Sequence, residues 1–212
     1  MACGVVARVT AGGVGVSGSG CPAGVRDGSD GMSESPWRLS WRADPVVARL
    51  ADGHYSRQKP GTAQFVPPGS CLVLKTPDGL AGWVTSAPKA AFVQHAWAGA
   101  WNNSLFVRRP ESPHRASDLI RFGVAHTRWR WPDVPELGII TMINEAEVQD
   151  KETPSWCYLM AGWRFAGLTQ GGLHVYQQLP GRMGKTRGAR RRMPLPGPVP
   201  GSQASLFDLG AS

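Results

Sequence analysis

The chain lacks the cysteine pattern of a zinc site or of a disulfide framework. Its four cysteines, Cys3, Cys21, Cys71 and Cys157, are dispersed along 212 residues, and none forms a Cys-x-x-Cys pair. Structural zinc sites usually draw their ligands from such closely spaced pairs. Dispersed cysteines favour a reducing compartment, so we expect a cytoplasmic protein without structural zinc.

Long apolar runs are also missing from the sequence. No stretch approaches the roughly 20 apolar residues that a membrane-spanning helix needs, so no membrane partner is expected. The first residues have neither a charged start nor a strong apolar block, which argues against a secretory signal peptide.

Both ends of the chain lack hydrophobic periodicity. Residues 1–36 are rich in Gly, Ser, Ala and Val, which predicts a disordered segment, and either Met1 or Met32 can be the true start. Residues 181–212 are basic and then rich in Pro and Gly, which predicts a second disordered tail. One folded domain is therefore expected over residues 37–180.

Positive charge and tryptophan are abundant. The chain carries 23 Lys and Arg against 15 Asp and Glu, a net charge of +8, together with nine Trp. The charge favours a polyanionic partner such as DNA, although part of it lies between Arg182 and Arg192. Most of the tryptophans are expected in the core, and a few suit a surface that stacks bases.

Helix and strand patterns alternate along the predicted domain. Asp44-Pro45 is typical of a helix start and Gly53 of a helix end. Residues 76–79, Thr-Pro-Asp-Gly, separate two apolar runs and predict a hairpin. A second helix is predicted over 116–129, with Ser117 as its N-cap. Further strands are expected at 37–41, 104–107, 137–143, 163–168 and 173–179, so the fold class is α/β with a mixed sheet flanked by helices.

The stretch from 155 to 179 organises the end of this domain. Trp156, Leu159 and Met160 share one face of a short helix, which Gly162 ends. The segment from Cys157 to Gly167 resembles the closing motif of the GNAT acyltransferase fold. In that fold an aromatic-rich helix ends at a Gly-aromatic pair and leads into the last strands. The resemblance implies a single GNAT-like domain with a mostly antiparallel central sheet, and it says little about substrate.

Four other segments, spread over residues 44–180, resemble the Mom family of phage and bacterial proteins. They are His54-Tyr55-Ser56-Arg57-Gln58-Lys59-Pro60-Gly61, Ser117-Asp118-Leu119-Ile120-Arg121, Glu136-Leu137-Gly138-Ile139-Ile140-Thr141 and Gly171-Gly172-Leu173-His174. Members of that family modify adenine in DNA by methylcarbamoylation on a GNAT-like scaffold. The resemblance implies a transferase that adds a small, methylcarbamoyl-type group to the exocyclic amine of adenine and protects DNA from restriction.

His54 and Tyr55 are the first candidate catalytic residues. A His-Tyr pair in a polar loop can supply a general base and a hydroxyl, or two metal ligands. The alternative is a loop histidine beside a tyrosine that packs. The Mom resemblance implies a metal at this pair, with iron as the candidate. An acyl-CoA-type donor is the other expected cofactor.

Glu145 is a candidate catalytic carboxylate because it follows the buried strand predicted at 137–143. Strand ends in α/β sheets are where reacting groups are usually mounted. Mom-like proteins tend to place an Asp about where Asn144 lies, so the carboxylate of this chain is shifted by one residue.

Ser117, Asp118 and Arg121 open the second predicted helix and are matched in the Mom family, which makes Asp118 a further catalytic candidate. In GNAT proteins that helix start holds an acyl-CoA pyrophosphate on backbone N–H groups. Residues 113–118 depart from the usual Arg/Gln-x-x-Gly-x-Gly/Ala loop, and an acidic residue opposes a bound pyrophosphate. We therefore do not expect the standard acetyl-CoA site.

Several polar or aromatic side chains are candidates for binding substrate or phosphate, namely Arg57, Lys59, Arg108, Ser117, Arg121 and Trp129. The run Arg128-Trp129-Arg130-Trp131 suits base stacking, and a helix end that packs its tryptophans inward is the alternative. His95, His126 and His174 have no partner at metal spacing and are expected to be structural.

Residues 203–207, Gln-Ala-Ser-Leu-Phe, resemble the short peptide by which bacterial proteins dock on the DNA sliding clamp. Their place beyond the Pro-rich spacer at 194–200 suits a docking peptide. DNA and the clamp are thus the expected partners. Two other functions stay open: an acyl-CoA-dependent N-acetyltransferase of a small molecule or protein, and a non-catalytic DNA-binding protein with a GNAT-like fold.

Overall fold

The computed structural model describes residues 35–57, 59–87, 95–148 and 155–188. These ranges form three α-helices and one seven-stranded sheet. The helices are α1 (Pro45–Asp52), α2 (Ala116–Arg130) and α3 (Trp156–Met160). The strands are β1 (Arg38–Leu39), β2 (Cys71–Lys75), β3 (Ala81–Ser86), β4 (Trp101–Arg108), β5 (Ile139–Ile143), β6 (Arg164–Leu168) and β7 (His174–Gln178).

The strands form one open sheet in the order β1-β2-β3-β4-β5-β7-β6. Every neighbouring pair is antiparallel except β4 and β5, which run parallel. The expected α/β domain with a mixed sheet is therefore confirmed. The predicted strand at 37–41 is shorter than expected, whereas β4 begins three residues before the predicted 104.

Helices cover both faces of this sheet. Trp83 on β3 lies against Gly123 of α2 and shares the largest core cluster with Leu119 and Ile120 of that helix. Its neighbour Val84 points to the other face, where it joins Val47 of α1 in a second cluster. Four of the nine tryptophans are buried in the core, Trp37, Trp83, Trp101 and Trp163, and two more, Trp97 and Trp131, pack against core clusters while partly exposed.

α1 begins and ends where the sequence predicts. The carboxylate of Asp44 accepts hydrogen bonds from the backbone N–H groups of Val46 (2.8 Å) and Val47 (3.5 Å), and Pro45 occupies the first helical position. Gly53 is the C-cap residue. The helix therefore leads directly into His54.

α2 has no side-chain cap, so the prediction that Ser117 caps it is wrong. Arg115 is the N-cap residue, with an extended backbone (φ −68°, ψ 138°), and no side chain caps it. Ser117 already lies inside the helix, where its backbone is helical and cannot take the extended N-cap conformation.

α3 turns the face shared by Trp156, Leu159 and Met160 toward solvent, with 60%, 37% and 48% of these residues exposed. Tyr158, beside that face, is the helix residue that enters the core, at 6% exposed. Gly162 follows the helix with φ 91°, a backbone conformation that glycine adopts without strain, as expected for a glycine stop.

The described domain extends slightly beyond residues 37–180 at both ends, and His126 joins those ends. The Ser35 Oγ lies 2.6 Å from Nε2 of His126, and Nδ1 lies 2.7 Å from the carbonyl oxygen of Arg187. A carbonyl only accepts, so Nδ1 donates and the neutral ring accepts from Ser35 at Nε2. The other predicted tail residues, 1–34 and 189–212, lie outside the described residues.

Among the residues that the structure describes, no helix combines the length and the apolar character needed to cross a membrane.

Candidate functional site

A pocket opens where the two parallel strands at the centre of the sheet separate. The β4–β5 ladder holds only two residue pairs, Trp101 with Ile139 and Asn102 with Ile140. Beyond this ladder both strands line a cavity of about 530 Å³, together with residues 54–56 and Tyr158. Its volume lies within the range of small-molecule sites, about 300–1,000 Å³.

A hydrogen-bonded network around Asn103 forms the inner wall of this pocket. The Tyr158 hydroxyl donates to Oδ1 of Asn103 at 2.6 Å, and Nδ2 of Asn103 donates to the carbonyl oxygens of Val84 and Leu105. Thr141 donates its hydroxyl to the Asn103 carbonyl at 3.1 Å. Burial raises the pKa of Tyr158 well above its ordinary value, so this hydroxyl stays protonated. The wall is rigid and neutral.

A β-bulge alters β4 beside this wall. Thr85 pairs with Asn103 and Val84 pairs with Leu105, so Ser104 is the extra residue. Bulges redirect side chains and recur next to active sites. Ser104 lines the pocket, and its buried hydroxyl has no hydrogen-bond partner within the described part of the chain. That hydroxyl is a polar group that the protein leaves unpaired beside the pocket.

The structure brings both His54 and Tyr55 to the pocket, with their ring centroids 4.4 Å apart. Nδ1 of His54 accepts a hydrogen bond from the backbone N–H of Ser56 (3.3 Å) and lies 2.8 Å from the Ser56 hydroxyl. The neutral ring therefore carries its proton on Nε2. Burial lowers the pKa of His54 to about 4, which keeps the ring neutral at pH 7.

Tyr55 is also neutral at physiological pH. Burial raises the pKa of its hydroxyl, a hydrogen bond with the backbone of Asn144 opposes part of that increase, and the charge of Glu147 adds to it. Tyr55 and His54 thus both present protonated polar groups to the pocket. Their arrangement suits binding and orienting a polar ligand better than removing a proton from it.

Glu145 follows β5 and belongs to a polar cluster that sequence reasoning missed. One carboxylate oxygen, Oε1, accepts from the Tyr176 hydroxyl at 2.7 Å, and that hydroxyl accepts from Ser155, also at 2.7 Å. The other oxygen, Oε2, lies 3.0 Å from Nδ1 of His174. His174 was expected to be purely structural. Its place in the Gly171-Gly172-Leu173-His174 match was the one signal that could have singled it out.

Asp118, Ser117 and Arg121 do not appear among the residues that line the described pockets. Asp118 pairs with Arg121 at 2.7 Å, and both side chains are about half exposed. Arg121 also donates to the Met160 carbonyl and so joins α2 to α3. The structure thus gives Arg121, paired with Asp118, a connecting role, and the predicted roles of all three residues in catalysis and substrate binding stay predictions.

Two arginines expected to bind substrate are held by the protein itself. Arg57 pairs with Asp52 at 2.8 Å and also donates to carbonyl oxygens of Thr62 and Gln64, which folds the loop after α1. Arg108 lines the pocket, but its guanidinium donates to carbonyl oxygens in the loop before α2. Both guanidinium groups therefore have less capacity to bind phosphate.

Lys59 lines a second cavity of about 620 Å³ on the α1 side of the sheet, and this cavity shares Ser56, Ser104 and Leu105 with the first pocket.

Of the aromatic run after residue 127, Trp131 packs against Trp101 with ring centroids 6.0 Å apart. Trp129 is 40% exposed. The inward-packing interpretation therefore holds for Trp131, and Trp129 keeps a surface on which a base could stack.

No cluster of three or more His, Cys, Asp or Glu side chains is placed to hold a metal ion within the described ranges. His54 and Tyr55 offer two ligand atoms at most, and Nδ1 of His54 is already engaged by Ser56. The expected metal at this pair stays a prediction.

Comparisons with protein-family models, with curated proteins and with solved structures gave no match. The resemblance to the GNAT fold and to the Mom family therefore rests on the motifs in the sequence.

Proposed function

We propose that the protein is a DNA-modifying transferase that adds a small, methylcarbamoyl-type group to the exocyclic amine of adenine. One observation carries the proposal. The loop at His54-Tyr55, one of the four segments that resemble the Mom family, converges on the pocket between β4 and β5, far along the chain from both strands. The pocket has the size of a small-molecule site and a limited set of converging polar groups, which is typical of binding sites.

The closing unit of the domain supports a GNAT-like scaffold. α3 ends before Gly162, Trp163 is 2% exposed, and the chain continues into the antiparallel pair β6–β7. This is the helix, Gly-aromatic pair and final strands that the motif implies. Because Tyr158 of α3 reaches Asn103 on β4, the unit also completes the wall of the pocket.

The pocket residues suit a reaction at a nucleobase amine. That amine is a weak nucleophile because its lone pair is delocalised into the ring, so the enzyme must position it, remove a proton and present an activated carbon. Tyr55 and His54 donate hydrogen bonds that can orient the base or the donor, and Ser104 offers a further hydroxyl. A base inside duplex DNA must be flipped out, or met in single-stranded DNA, to reach such a pocket.

Mass spectrometry of nucleosides from cells that express the protein tests the proposal. Wild-type protein is expected to yield a modified deoxyadenosine, whereas His54→Ala and Tyr55→Phe should lower its amount at least about 100-fold. The matched control is His95→Ala, because His95 does not line the described pockets and, within the described part of the chain, its side chain accepts a hydrogen bond only from the backbone N–H of Trp97. DNA with unmodified adenine from the wild type, or full activity of both pocket variants, would contradict the proposal.

An acyl-CoA-dependent N-acetyltransferase is the second candidate, because α2 begins without a side-chain cap and its first N–H groups are open to an anion. Against it stands Asp118 in the first turn, only partly balanced by Arg121. We expect acetyl-CoA to bind weakly in calorimetry. A dissociation constant of about 1 μM or tighter, lost when Arg121 is replaced by Glu, would favour the acetyltransferase instead.

The structure tests neither of the two predicted partners, DNA and the sliding clamp. DNA as substrate agrees with the net charge of +8. The clamp-binding peptide at 203–207 lies outside the described residues and stays a prediction. The third candidate, a non-catalytic DNA-binding protein, predicts DNA binding with no modified nucleoside in the same experiment.

A further inference from the structure

The proposed reaction needs a proton acceptor, and the two residues at the centre of the pocket are poorly suited to that role. Tyr55 keeps its proton, because burial raises the pKa of its hydroxyl. His54 is neutral, but its unprotonated nitrogen, Nδ1, already accepts from the Ser56 backbone. The acceptor must therefore come from another group near the pocket.

His174 has the opposite arrangement. Its Nδ1 lies 3.0 Å from the Glu145 carboxylate, which favours the tautomer with the proton on Nδ1. Nε2 is then the unprotonated nitrogen, and it has no hydrogen-bond partner in the described part of the chain. The side chain is 34% exposed, so the ring is partly accessible.

The carboxylate beside His174 is held in place by a chain of hydroxyl groups. Glu145 accepts from Tyr176 at 2.7 Å, and Tyr176 accepts from Ser155 at 2.7 Å. Ser155 and Tyr176 are buried, at 1% and 6% exposed. The ring of Phe165 lies against His174 with centroids 5.5 Å apart. The His174 ring is thus held at Nδ1 by Glu145 and on one face by Phe165. An ordinary surface ion pair has no such second contact.

His174 and Glu145 do not line the pocket themselves, but His174 adjoins two residues that do. His174 pairs with Ile143 across the β5–β7 ladder and directly follows Leu173. Both Ile143 and Leu173 line the pocket. Tyr55 approaches the same place, since its hydroxyl bonds to the backbone of Asn144, next to Glu145.

We propose that Nε2 of His174 accepts the proton from the substrate amine, with Glu145 as the residue that positions the ring. This inference rests on the proposed function. As the amine nitrogen forms a bond to the activated carbon of the donor, the bond from that carbon to its leaving group breaks and the leaving group takes the electron pair. The proton of the amine passes to Nε2, and the Glu145 carboxylate stabilises the imidazolium.

Substitution and chemical rescue test the catalytic role of His174. His174→Ala is expected to lower the yield of modified deoxyadenosine at least about 100-fold, and added imidazole should restore part of it. Glu145→Gln should lower this yield less than His174→Ala does. It removes the charge of the positioning side chain, but it keeps that side chain's shape and leaves the imidazole in place. His95→Ala is again the control. Unchanged activity of His174→Ala, or a loss that imidazole fails to restore in a variant with unchanged melting temperature, would overturn the proposal.

Nitrogen NMR of the full-length protein tests the same arrangement without any activity. In its neutral form the His174 ring should show a protonated Nδ1 and an unprotonated Nε2, and the neutral His54 ring the reverse. The Nε2–H tautomer at His174 would overturn the inference even if the DNA is modified. Unmodified DNA from the wild type together with the Nδ1–H tautomer would instead count against the proposed function, and the chemical role assigned to His174 would fall with it.

Discussion

Gly138→Ala is expected to lower the free energy of unfolding by about 3–5 kcal/mol, because it combines an unfavourable backbone conformation with a backbone clash. Gly138 has φ 62°, and a Cβ there would lie 2.1 Å from the carbonyl oxygen of Gln178. No side-chain rotation relieves contact with a main-chain atom of β7. Gly138 also accepts the Trp101 N–H at 2.9 Å, where β4 and β5 meet. A loss this large removes much of the stability of a typical domain.

Gly172→Ala is the matched control for this prediction. Gly172 also has positive φ, 80°, but no atom lies within 4 Å of the Cβ position. It isolates the backbone strain, which should cost about 1 kcal/mol. Urea denaturation of both variants, followed by tryptophan fluorescence, measures the difference. Equal losses would show that the contact with Gln178 does not matter.

Asp44→Ala is the second substitution with a large expected effect, a loss of about 3–5 kcal/mol. The Asp44 side chain is fully buried and lies 2.7 Å from Nζ of Lys75, which is 11% exposed. It also accepts from Ser40 at 2.6 Å and caps α1. Removing the carboxylate leaves a nearly buried ammonium group without its partner. Since α1 leads directly into His54, activity should fall along with stability.

The double variant Asp44→Ala, Lys75→Met separates the ion pair from the helix cap. It should be more stable than Asp44→Ala alone, since no buried charge is left unpaired. Burial alone would raise the pKa of Asp44, but Lys75, Ser40 and the Val46 N–H hold it below its usual value. The carboxylate therefore stabilises the wild type fully above about pH 4, and this contribution is lost as the pH falls further. A double variant no more stable than the single one would refute the argument.

Local signals in the sequence were sufficient for the elements whose ends are set by neighbouring residues. Asp44-Pro45 and Gly53 bound α1, and the turn at 76–79 joins β2 to β3. In each case the capping or turn group lies within a few residues of the backbone it satisfies. Ser117 misled because serine is favoured at an N-cap, but the N-cap of α2 is Arg115, two residues earlier.

The candidate site could be predicted only in part. His54, Tyr55 and Glu145 stood out in the sequence, because the first two belong to a motif that follows a predicted helix and the third follows a predicted strand. The sequence could not show that the guanidinium group of Arg57 is used within its own loop, because those partners are backbone carbonyls. Nor could it show that Glu145 meets His174, because that contact depends on the register of β5 against β7.

His126 has a consequence for how the protein can be re-engineered. Because one imidazole contacts both Ser35 and the Arg187 carbonyl, the atoms it joins lie within about 8 Å of each other, the span of a ring and two hydrogen bonds. The two ends of the described domain are thus adjacent. A short linker can join them, and new termini can be opened at the turn over residues 76–79, which makes the domain suitable for circular permutation.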